Sequence, residues 1–308
     1  MTAWRVPVER PARVAGAAAF DLDNEAAYRI WRRAKLADVP ASIDALRVEV
    51  RDAAELRATE RDALLARCAR FNMAIYHGAT ACESSSLPCA LGAQLGLRRL
   101  DANWLADEDG VSPITVRDSA APGAGFIPYT NRAIKWHCDG YYHPPGRAIR
   151  GMVLHCVRPA ASGGANHLLD HELAYIGLRD ANPAHIAALM SDDAMTIPAR
   201  DDEDGVARPA QSGPVFSVAA DGALQMRYTA RTRSIAWKDD AATRAAVGCL
   251  EGLLAGGSPY VLRVRLDAGM GLVANNVLHD REAFIDDPAR PRLLYRARYL
   301  DRVAPAAA

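Results

Sequence analysis

A histidine and an aspartate two residues apart, His137 and Asp139, stand in the stretch Ile134-Lys135-Trp136-His137-Cys138-Asp139-Gly140-Tyr141-Tyr142-His143. On an extended segment alternate residues project from one side. The spacing therefore predicts an imidazole nitrogen beside a carboxylate oxygen, placed as two ligands of one divalent metal would be. Cys138 would point the other way. Among 8 histidines and many aspartates such a pair arises easily by chance, so the reading requires a third ligand and a further functional group.

His279 offers the third ligand. It closes an apolar run in Asn275-Asn276-Val277-Leu278-His279-Asp280-Arg281-Glu282-Ala283-Phe284, where a side chain is held rigidly towards a barrel interior. Further on, Arg292 opens a strand in which Arg292, Leu294, Arg296, Arg298 and Leu300 share one parity. An arginine facing a mostly apolar interior is very unfavourable without an anion. A carboxylate bound through two parallel N–H bonds fits its planar fork best. Two histidines and a carboxylate with open coordination positions form the set used by non-haem Fe(II) oxygenases.

Positioning these groups falls to many short strands. From Val111 onward the chain reads as strands separated by Gly and Pro: Ile114 to Val116, the His137 segment, Met152 to Val157, Ala165 to Leu169, a hairpin about Ala220-Asp221-Gly222, Tyr260 to Leu266, Leu272 to Leu278, and Arg292 to Leu300. Helices are expected from Asn24 to Lys35, from an Asp52 N-cap to Phe71, over Ser84 to Leu97, over His171 to Leu178, around Ile186 to Met190, and after Asp239-Asp240. The expected fold is mixed, β-rich α+β: a double-stranded β-helix (jelly-roll, cupin-like) core with flanking helices. Residues 1–308 are expected to form one catalytic domain, with 1–100 a mainly helical buttress and 111–300 the jelly roll. No Gly-rich phosphate loop follows a strand, which disfavours a parallel nucleotide-binding sheet.

On these residues the chain resembles the TauD/TfdA family of Fe(II)- and 2-oxoglutarate-dependent dioxygenases and the related γ-butyrobetaine hydroxylases. The resemblance runs from about Ile75 to Leu300 and is densest in three blocks. They are Trp136-His137-Cys138-Asp139-Gly140, then Leu154-His155-Cys156-Val157-Arg158-Pro159-Ala160 with Gly163-Gly164, and Asn276 to Arg298. It implies Fe(II) on His137, Asp139 and His279, and 2-oxoglutarate on Arg292, with Arg296 assisting or touching substrate. Asn166 falls where such enzymes often have a Thr that helps the distal carboxylate. It further implies O2 as co-substrate, decarboxylation of 2-oxoglutarate to succinate and CO2, and hydroxylation of a small molecule. Desaturation, demethylation or cyclisation with the same cofactors is the first alternative. A catalytically silent metal-binding jelly roll that binds or senses a ligand is the second.

Substrate contacts are sought in Tyr141, Tyr142 and His143, and in Arg231, Arg233 and Trp237 of the interleaved basic and aromatic segment Arg227 to Trp237. Converging arginines would take an anion. Converging aromatics would cage a betaine-like quaternary ammonium. Loops at Ala120 to Pro128 and Asp201 to Gln211 are lid candidates.

Composition removes other classes. Lys+Arg and Asp+Glu balance at 37 each, so no field of one sign suggests nucleic acid or an anionic membrane. No apolar run approaches membrane-spanning length, and the 6 cysteines form no C-x-x-C pair. Reduced thiols in a cytoplasmic protein are expected. The oligomeric state is left open.

Overall fold

The computed structural model describes residues 14–78, 83–101, 110–118, 125–199, 208–231 and 235–305. Arg233, Cys82 and parts of both lid candidates lie outside them. The helices are α1 (Val14–Phe20), α2 (Glu25–Leu36), α3 (Ala58–Phe71), α4 (Leu87–Gln94), α5 (His171–Ala181), α6 (Pro183–Leu189) and α7 (Ala241–Gly252). The strands that build the sandwich are β1 (Arg47–Val50), β2 (Met73–Gly78), β3 (Ser112–Ile114), β4 (Ile134–His137), β5 (Gly151–Arg158), β6 (Asn166–Leu169), β7 (Leu262–Val264), β8 (Met270–Ala274), β9 (Leu278–Arg281) and β10 (Leu293–Tyr299).

Six strands form one sheet in the order β1-β2-β8-β5-β10-β3, and four form another in the order β7-β6-β9-β4. Apart from the parallel β1–β2 pair, the pairings are antiparallel. Alternation then sorts the side chains into layers. Between the sheets, Ile75, Met152, Cys156, Leu272 and Leu294 of the large sheet meet Leu168, Leu262 and Val264 of the small one. On the large sheet's outer face, Ala74, Tyr76, Val153, Val273, Ala297 and Tyr299 pack on Leu64 and Cys68 of α3 and Leu87 and Leu91 of α4. On the small sheet's outer face, Cys138, Leu169 and Leu278 join a cluster from α2, α5, α6 and α7 that includes Tyr28, Tyr175, Ile186 and Leu250. Two facing, largely antiparallel sheets with helices on both outer faces form the jelly-roll-type fold expected.

Two elements begin or break elsewhere than the sequence suggests. Asp52 does not cap α3; its carboxylate accepts from the Ala54 N–H and closes a local turn. The helix starts at Ala58, where Glu60 reaches back to the Arg57 and Arg51 amides. The apolar run Leu272 to Leu278 is two strands, β8 and β9, in different sheets. Asn276 takes a left-handed conformation (φ 52°) between them and turns the chain from one sheet to the other. The hairpin is present as Phe216–Val218 paired with Leu224–Met226, with Gly222 at φ 78° in its turn.

Candidate active site

His137 ends β4 and His279 is the second residue of β9; the two are direct partners in the antiparallel register. Opposite residues of such a pair share one face, and the ring centroids are 4.2 Å apart. Both rings donate from Nδ1 to a backbone carbonyl two residues back, His137 to Lys135 O and His279 to Val277 O, each at 2.9 Å. A carbonyl only accepts, so the proton sits on Nδ1 and both Nε2 lone pairs are free for a metal. Burial first, then the neighbouring His279, push the His137 imidazole down to about 3, which keeps it neutral.

Asp139 lies just past the end of β4, in a turn. Its Oδ1 is 3.8 Å from His137 Nε2. One ligand atom from each of His137, Asp139 and His279 falls within 4.8 Å of the others, a group able to hold a metal ion. The Asp139 carboxylate is buried, which alone would raise its pKa. Arg296 above all, then Arg298 and the two histidines, hold it well below the usual carboxylate range. Arg296 Nη1 donates to Oδ1 at 3.1 Å, while Oδ2 is buried with no hydrogen-bond partner. An ionised, orphaned oxygen beside two free imidazole nitrogens is the donor set of a divalent cation, so these residues fit the iron that the sequence implies. Cys138 faces the outer cluster, as alternation predicts.

A cavity opens beside His137 and His279, with Asp139 reaching it through Arg296. Its lining includes Ile114, Met152, Leu154, Leu168 and Leu272, with the polar groups Asn166, Arg281, Arg292 and Arg296. Arg292 is 5% exposed, and its Nη1 is buried without a partner. Burial pushes its guanidinium down to about 10. Arg281, 3% exposed, is pushed down to about 9 by burial and then by Arg292. Both guanidiniums stack on Phe284, at 4.9 and 5.0 Å from the ring centroid. Arg281 spends its Nη groups on the carbonyls of Pro128, Thr130 and Arg132, leaving Arg292 the better placed for an entering anion. Asn166 also lines the cavity, with its Nδ2 donating to Asp280 O at 2.5 Å.

The remaining sequence candidates divide. Tyr141 and Tyr142 pack edge to face at 5.3 Å, and Arg231 bears on the Tyr141 phenol. Thr229, two residues before Arg231, bridges the His137 backbone, which brings this segment beside β4. Trp237 instead pairs its strand with Met195 and packs against Tyr228. The contacts described for the rings therefore do not gather Tyr141, Tyr142 and Trp237 into one cage. His143 keeps its ring against Tyr142, with centroids 4.7 Å apart, while Asp101 lies 3.2 Å from its Nε2. Asp101 also takes Arg147 and Arg298, and Arg298 donates to the Tyr142 hydroxyl. Sequence reading missed this cluster because Asp101 is remote in the chain and sits in a polar stretch. Arg281 had a signal, since it shares the parity of His279.

The Asp101 cluster gives a stability prediction. Its carboxylate has no exposed side-chain surface. Burial opposes its charge, but His143, Arg298 and Arg147 hold its pKa down at about 2. Because the folded value is depressed, the stabilisation is complete above the unfolded pKa near 3.8 and is lost as pH falls towards 2. Asp101→Asn leaves the buried Arg298 without its directly bonded carboxylate and should cost about 3 kcal/mol in urea unfolding at pH 7. The gap between variant and parent should narrow below about pH 4.

Comparison with known proteins follows this geometry. Residues 103–298 match the profile of the taurine catabolism dioxygenase TauD, TfdA family. The chain belongs to the TauD/TfdA family. Two curated relatives, each described as a uridine-5'-phosphate dioxygenase, are 35% identical to it. The one from Streptomyces sp aligns over 178 residues, 55% of this chain and 62% of the relative, and the one from Amycolatopsis sp over 177 residues, 54% and 60%. The chain thus spans less than two thirds of their length. Among solved structures, an asparagine oxygenase bound to Fe(II), a hydroxyasparagine and succinate superposes with a TM-score of 0.56 at 16% identity, over 82% of this chain and 86% of the other. The non-haem iron oxygenase OrfP in complex with Fe superposes with 0.57 at 19% identity, over 94% and 92%. These likenesses establish a shared jelly-roll fold. Within the TauD/TfdA match fall all three candidate ligands and Arg292 and Arg296.

Proposed function

We propose that this TauD/TfdA protein is an Fe(II)- and 2-oxoglutarate-dependent dioxygenase that hydroxylates a small anionic substrate of the nucleoside 5'-phosphate class. The observation that carries the cofactor reading is one cavity lined by His137, His279, Arg296 and a buried Arg292 guanidinium with an unpartnered N–H, with Asp139 bonded to Arg296 and grouped with both histidines. His137, Asp139 and His279 would hold the iron, which when bound supplies oxygen activation coupled to conversion of 2-oxoglutarate into succinate and CO2. Arg292 would bind the distal carboxylate, since a buried guanidinium is stabilised most by a bidentate anion. The aliphatic walls exclude water and strengthen that pairing. Arg296 fixes the Asp139 carboxylate by its bond to Oδ1 and keeps it ionised.

For the substrate, the two curated relatives act on uridine-5'-phosphate by their names, and local charge favours an anion. Arg231 is partly buried, its guanidinium has no hydrogen-bond partner among the described residues, and it lies near Tyr141 and the β4 backbone. A betaine-like substrate has less support, because Trp237 packs on Tyr228 and away from a Tyr141–Tyr142 cage. Succinate release should be stimulated by uridine-5'-phosphate or another nucleoside monophosphate, and far less by uridine or a betaine. Stimulation by betaines alone would reverse this reading. In Arg231→Ala the KM for the phosphorylated substrate should rise about ten-fold or more, as loss of a charged hydrogen bond implies. The KM for 2-oxoglutarate should stay unchanged.

A further inference from the structure

We infer that Asn276 is the positioning residue of the metal centre: its side chain clamps the Asp139 backbone and ties that carboxylate to the segment bearing His279. The inference rests on the metal-site reading above. Asp139 needs such a clamp because β4 ends at His137 and supplies no further ladder to hold it. Cys138 N–H still finds Tyr228 O across the chain, but Asp139 N–H is met by a side chain, Asn276 Oδ1, at 2.8 Å. Asn276 Nδ2 returns the contact, donating to Asp139 O at 3.0 Å and to Ile149 O at 2.8 Å. The amide thus replaces a missing strand partner with three hydrogen bonds at a 6% exposed site.

The surroundings leave the Asp139 turn little room to relax. Gly140 follows at φ 68°, and a Cβ there would lie 2.4 Å from Ile149 Cγ1 and 2.8 Å from His143 Cδ2. Ile149, whose carbonyl takes the third bond from Asn276, therefore presses directly on the turn. Asn276 itself occupies the left-handed turn between β8 and β9, three positions before His279. Asparagine tolerates that backbone better than most residues. One residue therefore both turns the chain into the His279 strand and fixes where Asp139 stands relative to it. Groups that orient a metal's ligands typically cost 10–100-fold in affinity when lost.

Backbone and side-chain roles are separable. Asn276→Gly keeps the positive φ and removes the clamp. Asn276→Asp keeps the φ preference and the acceptor, but sets a carboxylate oxygen against two carbonyls. The readout is the Mn(II) dissociation constant of the metal-free protein, followed by electron paramagnetic resonance, with thermal unfolding of the same samples. The clamp predicts Mn(II) binding weakened about ten-fold or more in Asn276→Gly, and further in Asn276→Asp. Leu64→Ala, a cavity in the outer layer beyond the large sheet, should lower the unfolding temperature while leaving Mn(II) affinity as in the parent. Parental affinity in Asn276→Gly, or an equal loss in Leu64→Ala, would overturn the clamp. Asp139→Ala, run alongside, should abolish binding; retained binding there would instead fail the metal-site reading itself.

Discussion

Replacing Arg292 by alanine should raise the 2-oxoglutarate concentration needed for half-maximal turnover by at least about 100-fold. Removing one partner of a buried charge pair costs about 3–5 kcal/mol, and each 1.4 kcal/mol is a factor of ten. The protein side of that pair is already in place: Arg292 is 5% exposed, its Nη1 lacks a partner, and Asp286 meets it through the backbone N–H rather than the guanidinium. Arg292→Lys should fall between parent and alanine, since an ammonium retains charge but loses the fork. Mn(II) binding without 2-oxoglutarate should change by less than about two-fold in both, because Arg296, not Arg292, contacts Asp139. Unchanged 2-oxoglutarate dependence in Arg292→Ala, measured by succinate release, would remove Arg292 from the co-substrate site.

The second large effect concerns the ligands. His137→Ala, Asp139→Ala and His279→Ala should each abolish substrate-stimulated succinate formation, with turnover lowered by about a thousand-fold or more, as for residues that act as one unit. Each variant should still fold, because the two histidine rings bond only to nearby carbonyls and the Asp139 backbone is held by Asn276 independently of its carboxylate. Asp139→Ala alone also strips Arg296 of its carboxylate, so its unfolding free energy should fall relative to the histidine variants. Full activity in any one variant would exclude that residue from the ligand set.

Much of this was legible before the fold was seen. Strand parity put Leu294, Arg296 and Arg298 on one side and turned Cys138 away from the site, because period-two alternation holds in β10 from Leu294 onward, past a register shift at Leu293, and at the end of β4. His279 could be singled out because it lies in an apolar segment. The partner strand could not: that His137 and His279 face each other is a matter of register, set by long-range pairing. Nor could Asn276 be recognised, since a second asparagine in an apolar run reads as a weak strand residue until its φ and hydrogen bonds are known. Arg231 and His143 show the same limit from opposite sides. Both are basic residues near a motif, yet Asp101 claims one, and the other keeps a guanidinium with no hydrogen-bond partner among the described residues.

The Asp101 cluster also orders the two tyrosines proposed above as substrate contacts. Arg298 is fixed between Asp101 and the Tyr142 hydroxyl, so the Tyr142 ring is held in place, and Tyr141 stacks edge-on against it. As the proposed substrate wall, these rings would already be ordered before substrate arrives, which would lower the entropy cost of binding.

The central claim is that iron and 2-oxoglutarate meet in one cavity between His137, Asp139, His279 and Arg292. Its most direct test is the visible absorption of the anaerobic protein with Fe(II) as 2-oxoglutarate is added. The account predicts a weak charge-transfer band that grows with 2-oxoglutarate, is absent in His279→Ala, and needs far higher 2-oxoglutarate in Arg292→Ala. No band in the parent protein, or the same titration curve in all three proteins, would contradict it.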